Sequence, residues 1–214
     1  WTKPVDGSDP ATDWGPPLAV DESPNVLNPP NGWIQNTNNW PFSVSGAYSP
    51  KQRDYPAYVE SGTENPRGVH AIMVLDGKKD FTPDSLIAAA FDSYLTEFAV
   101  QIPLLLQAYD GAPATLKAKL ADQAKSLREW DYRWGVDSVP TALAVYWGED
   151  LWRRVAPDAR KAGLSNYEFM RRKATPAQRL ESLLAASEKL TADFGRGDTP
   201  WGEINRLQRL SGAI

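Results

Sequence analysis

Apolar residues recur at three- and four-residue intervals from Phe81 onward in this 214-residue chain, and almost nowhere before residue 66. Thr82-Pro83-Asp84 carries an N-cap, a proline for the first helical position and an acid for the first turn. Leu86, Ile87, Ala90, Phe91, Tyr94, Leu95 and Phe98 follow on one helical face, and Pro103 is expected to kink or end that helix near Gln101. A second helix is predicted from about Pro113, with Leu116, Leu120, Ala124, Leu127 and Trp130 along one side. A third is predicted from Thr141 to Val155. A fourth is opened by Thr175-Pro176, carries Leu180, Leu183, Leu184, Leu190 and Phe194, and is stopped by Gly195. Pro200-Trp201 starts a last short one.

Residues 1–66 read differently. They hold most of the Pro, Gly and Asn, and their apolar residues sit in Pro-bounded fragments such as Asp54-Tyr55-Pro56-Ala57-Tyr58. Such a stretch predicts irregular backbone with short strands that needs another surface to cover it. The expected fold is mainly α: a helical bundle with an irregular, partly extended N-terminal arm. Residues 1–80 form the loop-rich arm in this division, and residues 81–214 the helical domain.

Composition narrows the function classes. The net charge of −4 gives no basis for steering toward nucleic acid or anionic lipid, and the short basic runs Arg153-Arg154 and Arg171-Arg172-Lys173 fit solvated helix faces. No apolar run reaches the ~18 residues of a membrane span; Asp92 and Glu97 interrupt the best candidate. The absence of cysteine excludes disulfides and thiolate chemistry.

One run stands apart chemically. Leu27-Asn28-Pro29-Pro30-Asn31-Gly32-Trp33-Ile34-Gln35-Asn36-Thr37-Asn38-Asn39-Trp40-Pro41 carries five asparagines (Asn28, Asn31, Asn36, Asn38 and Asn39) and no charge. Uncharged amides gathered beside tryptophan suit a site that donates hydrogen bonds without carrying charge, which is what a developing oxyanion requires. Asn-Asn before Trp-Pro is equally a common turn sequence.

The run Asn-Pro-x-x-Gly-Trp-Ile-x-Asn-x-Asn-Asn-x-Pro resembles the motif downstream of the nucleophile in the penicillin acylase family of N-terminal-nucleophile amide hydrolases. That family includes acyl-homoserine lactone and aculeacin-type acylases. Asn65-Pro66-Arg67-Gly68-Val69-His70-Ala71-Ile72 is similar to the segment carrying the family's active-site arginine. The likeness continues through Leu127-Arg128-Glu129-Trp130-Asp131, Trp147-Gly148-Glu149-Asp150-Leu151 and Thr199-Pro200-Trp201-Gly202-Glu203-Ile204-Asn205-Arg206-Leu207, in order along the chain.

The resemblance implies that Asn38 donates its side-chain amide to the tetrahedral intermediate and that Arg67 supports the site; Asn36 and Asn39 read as fixing the loop's shape through backbone hydrogen bonds. It implies an amide hydrolysis through an acyl-enzyme, on a small-molecule acyl-amide. The family's nucleophile is the first residue of a processed chain, usually Ser, with its own α-amine as base. Trp1 is unfit for that part, so this chain is expected to be a middle segment of the catalytic β chain within a larger α+β hydrolase. Its partners are then the nucleophile-bearing part and the α chain of the processed acylase, and the isolated segment is expected to be inactive. No organic cofactor is implied; a structural Ca²⁺ occurs in some members, with no ligands assignable here. The resemblance points to the periplasm or the outside of the cell, and the Gly-Trp-Ile-Gln-Asn and Thr-Pro-Trp-Gly-Glu segments lean toward lipid-chain and homoserine-lactone acylases.

Trp33, Trp40 and Phe42 are candidates for the apolar wall of an acyl pocket, or for packing beneath the loop. His70, the single histidine, has no second His or Cys to build a catalytic zinc site with and no Gly-x-Ser-x-Gly elbow to serve, so it reads as structural. Two other functions compete. One is a non-catalytic Trp-rich module binding carbohydrate or an apolar ligand. The other is a glycosidase using carboxylates among Glu129, Asp131, Asp137, Glu149 and Asp150 with sugar-stacking tryptophans; the helical spacing of Trp130, Trp147 and Trp152 favours core packing instead. The Arg196-Gly197-Asp198 triplet reads as a turn after a helix stop.

Overall fold

A computed structural model describes residues 3–60 and 62–207. The fold is mainly α, as the apolar periodicity predicts, and divides into two compact units, Trp1–Asp92 and Ser93–Ile214.

In the first unit the short strands expected of the arm are not found among the described residues. The Pro-bounded fragments close instead into single 3-10 turns at Pro10–Thr12, Pro41–Ser43, Gly46–Tyr48 and Gln52–Asp54. Proline supplies the fixed φ at the start of two of them, and a residue with no N–H to donate is better placed in a turn than in a ladder. Two helices follow, α1 (Pro66–Leu75) and α2 (Pro83–Ala90), each begun by a proline behind a capping side chain. Thr82 and Ser85 form a reciprocal capping box at the start of α2.

The second unit is the helical bundle: α3 (Thr96–Asp110), α4 (Ala114–Lys119), α5 (Ala121–Arg128), α6 (Val139–Ala162), α7 (Asn166–Arg172), α8 (Pro176–Phe194) and α9 (Trp201–Ile204). Helix α6 is its centre, packed by α5, α7, α8 and α9, while α3 lies on α5, α7 and α8. Ile102, Leu105, Leu120, Leu127, Leu143, Trp147, Leu151, Val155, Leu183 and Leu190 are buried where these faces meet. The Trp147 indole N–H is satisfied inside this core by the Arg179 carbonyl at 3.0 Å.

Helix α8 matches its prediction end to end, from the Thr175–Gln178 capping box to Gly195 at φ +77°. Other boundaries moved for identifiable reasons. The expected helix from Thr82 through Phe98 is broken at residues 91–95, because Ser93 and Leu95 pair with Trp134 and Tyr132 through backbone bonds of 3.1 and 2.8 Å around an antiparallel bridge between Tyr94 and Arg133. This pairing holds Tyr132 at φ +62°, an unfavourable region for an aromatic residue. Pro103 does not end α3, and Pro157 does not end α6. Both are exposed, so the hydrogen bond each cannot donate is missing from a solvent-facing side of its helix. The helix expected from Pro113 bends at Leu120 into α4 and α5. Helix α7, seven residues opened by the Ser165 cap, is too short to show a period. Trp130 and Trp147 are buried, but Trp152 is half-exposed on α6 and meets Tyr167 edge-to-face at 4.7 Å.

Candidate functional site

The asparagine run forms a tightly bonded loop in the first unit. Trp33 is buried with its ring over Gly46, a glycine at φ +54° whose absent side chain leaves room for the indole. Ser45 fastens the two arms of the loop, its single hydroxyl proton shared between the Trp33 carbonyl at 3.0 Å and Asn31 Oδ1 at 2.9 Å. Gln35 N–H donates to the Val44 carbonyl at 2.8 Å. The loop is therefore shaped by amide and hydroxyl bonds where a strand would have used a ladder.

Its tip is Thr37-Asn38-Asn39. Asn38 sits in the left-handed region at φ +57°, a conformation asparagine tolerates better than other side-chain-bearing residues. The Asn36 carboxamide oxygen accepts the Asn38 N–H at 2.8 Å, and Asn39 Oδ1 accepts the Thr37 N–H at 3.2 Å and its hydroxyl at 2.9 Å. Asn36 and Asn39 thus fix the loop's shape, as the sequence indicates.

Helix α1 meets this tip with its first turn. Asn65 caps it by accepting the Gly68 N–H at 3.0 Å, and its Nδ2 donates to the Thr37 carbonyl at 3.2 Å. Arg67, one residue into the helix, donates from Nη2 to the same carbonyl at 2.6 Å and from Nη1 to Asn38 Oδ1 over a longer 3.5 Å. A guanidinium has donors only, so it can face only the oxygen end of the Asn38 carboxamide. Nδ2 of Asn38 is thereby turned away from Arg67, and among the described residues no acceptor bonds to it. Both side chains are exposed. The arrangement presents an oriented, uncharged N–H pair beside a permanent cation.

The aromatic candidates divide. Trp40 and Phe42 are half-buried and meet edge-to-face at 5.6 Å, with Phe42 continuing to Tyr55 at 5.9 Å. Trp33 lies deeper, beneath the loop, and its indole N–H has no partner among the described residues.

Residues that the motif comparison did not single out complete the network. Glu64 is half-buried, and its Oε1 accepts from Asn39 Nδ2 at 2.5 Å and from the Asn65 N–H at 2.8 Å. Its Oε2 accepts from the Ser43 hydroxyl, which in turn accepts the Trp40 indole N–H at 3.2 Å. A carboxylate just ahead of an Asn-Pro cap was the available signal in the sequence, but its partners lie 21 and 25 residues away.

The remaining candidates take structural places. His70 Nε2 lies 2.9 Å from Asp92 Oδ1 and ties α1 to the end of the first unit. No group of three or more His, Asp or Glu is placed to hold a metal ion among the described residues, and no described helix is long and apolar enough to cross a membrane. Two carboxylates of the glycosidase reading are engaged locally: Asp131 accepts its neighbour Arg133 N–H, and Asp150 is held by Arg153 and Arg154. Trp130 and Trp147 are core residues, unavailable for stacking on sugar. Arg196 turns back to Glu203 at 2.6 Å, behind the Gly195 helix stop.

The family model described as penicillin amidase matches residues 2–212, nearly the whole sequence, and the Asn38 and Arg67 segments both fall within that match. On this match the chain belongs to the penicillin amidase family.

Proposed function

We propose that this chain supplies the oxyanion donor and its supporting cation to an N-terminal-nucleophile acylase that cleaves a carboxamide into an acyl group and an amine. Family membership supports an acylase-like hydrolase. The observation that carries the finer reading is the orientation of the Asn38 carboxamide, whose oxygen faces Arg67 while its NH₂ group is left to donate. As a hydroxyl nucleophile attacks the substrate carbonyl, negative charge grows on the carbonyl oxygen. A preformed neutral donor stabilises that charge more than it stabilises the ground state, which lowers the barrier. Arg67 stays protonated at any working pH, so it orients and polarises Asn38 and transfers no proton.

In this reading the nucleophile and its α-amine base come from outside these 214 residues, and an acyl-enzyme ester forms on that nucleophile and is then hydrolysed. The chain works with the nucleophile-bearing part and the α chain of a processed acylase in the periplasm or outside the cell. Trp40 and Phe42 offer an apolar wall to the acyl group, with Trp33 bracing the loop from below. A long acyl chain, as in the lipopeptide and homoserine-lactone acylases, is the preferred substrate class; quorum-signal quenching and antibiotic side-chain chemistry are the roles this entails.

The test is turnover of phenylacetyl- and decanoyl-p-nitroanilide by the intact processed enzyme and by its Asn38→Gly variant. The reading requires turnover by the parent, with decanoyl preferred, and a loss of about 10²–10³ in the variant. A parent inert on both, or a variant as fast as the parent, overturns it.

A further inference from the structure

We propose that Glu64 is a positioning residue for the Asn38 donor, and that Gly68 lacks a side chain in order to admit its carboxylate. The proposal rests on the oxyanion reading of Asn38. Four bonds define the role of Glu64. Its two oxygens collect Asn39 Nδ2, the Asn65 N–H and the Ser43 hydroxyl, and through Ser43 the Trp40 indole N–H. Those partners belong to three separate pieces: the residue following Asn38, the last residue of the Pro41–Ser43 turn, and the capping residue of the helix that bears Arg67. One carboxylate therefore clamps the loop tip to the helix that supplies its cation. A carboxylate accepts all of these bonds at once; a neutral amide can keep the two N–H bonds on its oxygen and turn its NH₂ to the Ser43 hydroxyl, which can accept, so removing or displacing the carboxyl group, and not exchanging it for an amide, is what dismantles the clamp.

Gly68 gives the second, independent observation. It is a buried residue within helix α1, where glycine is a poor choice for helix stability, and its φ is not positive. A Cβ built there would overlap Oε1 and the carboxyl carbon of Glu64. The position thus gives up helix propensity at a place where the nearest atoms in the way are the end of one flexible side chain. An alanine there can be accommodated by swinging the carboxylate out, which preserves the helix and dismantles the clamp.

This separates positioning from folding. In the intact enzyme, Gly68→Ala is expected to stay folded, its gain in helix propensity offsetting part of the lost clamp, while kcat on the preferred p-nitroanilide falls by about 10- to 100-fold with KM within about twofold, the loss a small displacement of a reacting group produces. Glu64→Ala is expected to lower kcat likewise, with a double variant Glu64→Ala/Asn38→Gly no slower than Asn38→Gly alone, because both changes act on the same donor. Should Glu64→Ala fail to fold, Gly68→Ala decides the matter. Parental kcat in Gly68→Ala beside a crippled Asn38→Gly overturns the positioning role and leaves the oxyanion reading standing. A crippled Gly68→Ala beside an unimpaired Asn38→Gly overturns both, since the carboxylate then serves something other than Asn38. Additive losses in the double variant also overturn the proposal.

Discussion

Arg67 Nη1 approaches Asn38 Oδ1 at 3.5 Å while its Nη2 holds the neighbouring Thr37 carbonyl at 2.6 Å, so one guanidinium engages both the backbone and the side chain of the loop tip. The short bond anchors the cation beside the loop tip, where the longer contact faces the carboxamide oxygen. A fork of fixed geometry is suited to this double task, and a point charge is not.

Asn38 provides the most direct test. Asn38→Ala removes the donor and also forces a Cβ-bearing residue without a local hydrogen bond into the left-handed region, at about 1–2 kcal/mol. Asn38→Gly removes the donor and accepts φ +57° freely. The two variants are expected to differ in melting temperature by several degrees, yet to lose the same 10²–10³ in kcat. Stopped assays and thermal melts on the intact enzyme check both halves.

Arg67→Lys keeps the charge and loses the fork. A single ammonium can satisfy the Thr37 carbonyl or aim at Asn38, and the shorter bond should hold it. A drop of about tenfold in kcat is expected, smaller than that of the Asn38 variants. Arg67→Met, which removes both the charge and every donor, is expected to lose more, and steady-state kinetics of the pair gives the order.

The helical unit carries no chemistry in this account, and its variants should report on stability. Leu151 is fully buried in α6 among the core residues. Leu151→Ala is expected to destabilise by about 2–5 kcal/mol, with the spread set by how far the cavity collapses. Denaturant unfolding measures it, and activity below the transition should be unchanged.

Stability should also depend on pH through Glu97. Burial raises its pKa above the ordinary glutamate value of 4.5, against the opposing pull of the Gln101 hydrogen bond and the Arg171 charge. A carboxyl with a raised folded-state pKa binds its proton more tightly when folded, so its contribution favours folding below the ordinary value and is lost as pH rises through the raised one. Glu97→Gln is therefore expected to be more stable than the parent at neutral pH. That advantage should shrink as the pH falls into the ordinary carboxylate range. Melting curves of both proteins from pH 3 to pH 8 test the sign.

Gly195 closes α8 at φ +77°. Gly195→Ala places a Cβ in a left-handed position and is expected to cost about 1 kcal/mol. The same exchange at Gly68 brings no backbone strain, because its φ is not positive; its cost comes from the displaced Glu64 carboxylate. A loss of kcat at Gly68 and of melting temperature alone at Gly195 separates glycine kept for space from glycine kept for backbone freedom.

The amino-acid order alone determined whatever depends on groups within about four residues of one another. Thr175-Pro176 with Gln178 starts α8, Gly195 ends it, Asn65-Pro66 starts the helix bearing Arg67, and Asn36 and Asn39 turn the loop; each is a cap or turn whose partners are adjacent in the chain. The apolar stripe of α8 is visible for the same reason, since helical neighbours recur every three or four residues. The motif run marked Asn38 and Arg67 as separate candidates. Tertiary structure decided that they meet, 29 positions apart, and which end of the carboxamide the cation takes. It decided that residues 91–95 leave the helix to pair with residues 132–134, and that Glu64 gathers donors from three segments beside a glycine. Such contacts form only when loops close, at an entropic cost offset by burial and hydrogen bonding spread over many residues, and no local pattern encodes that balance.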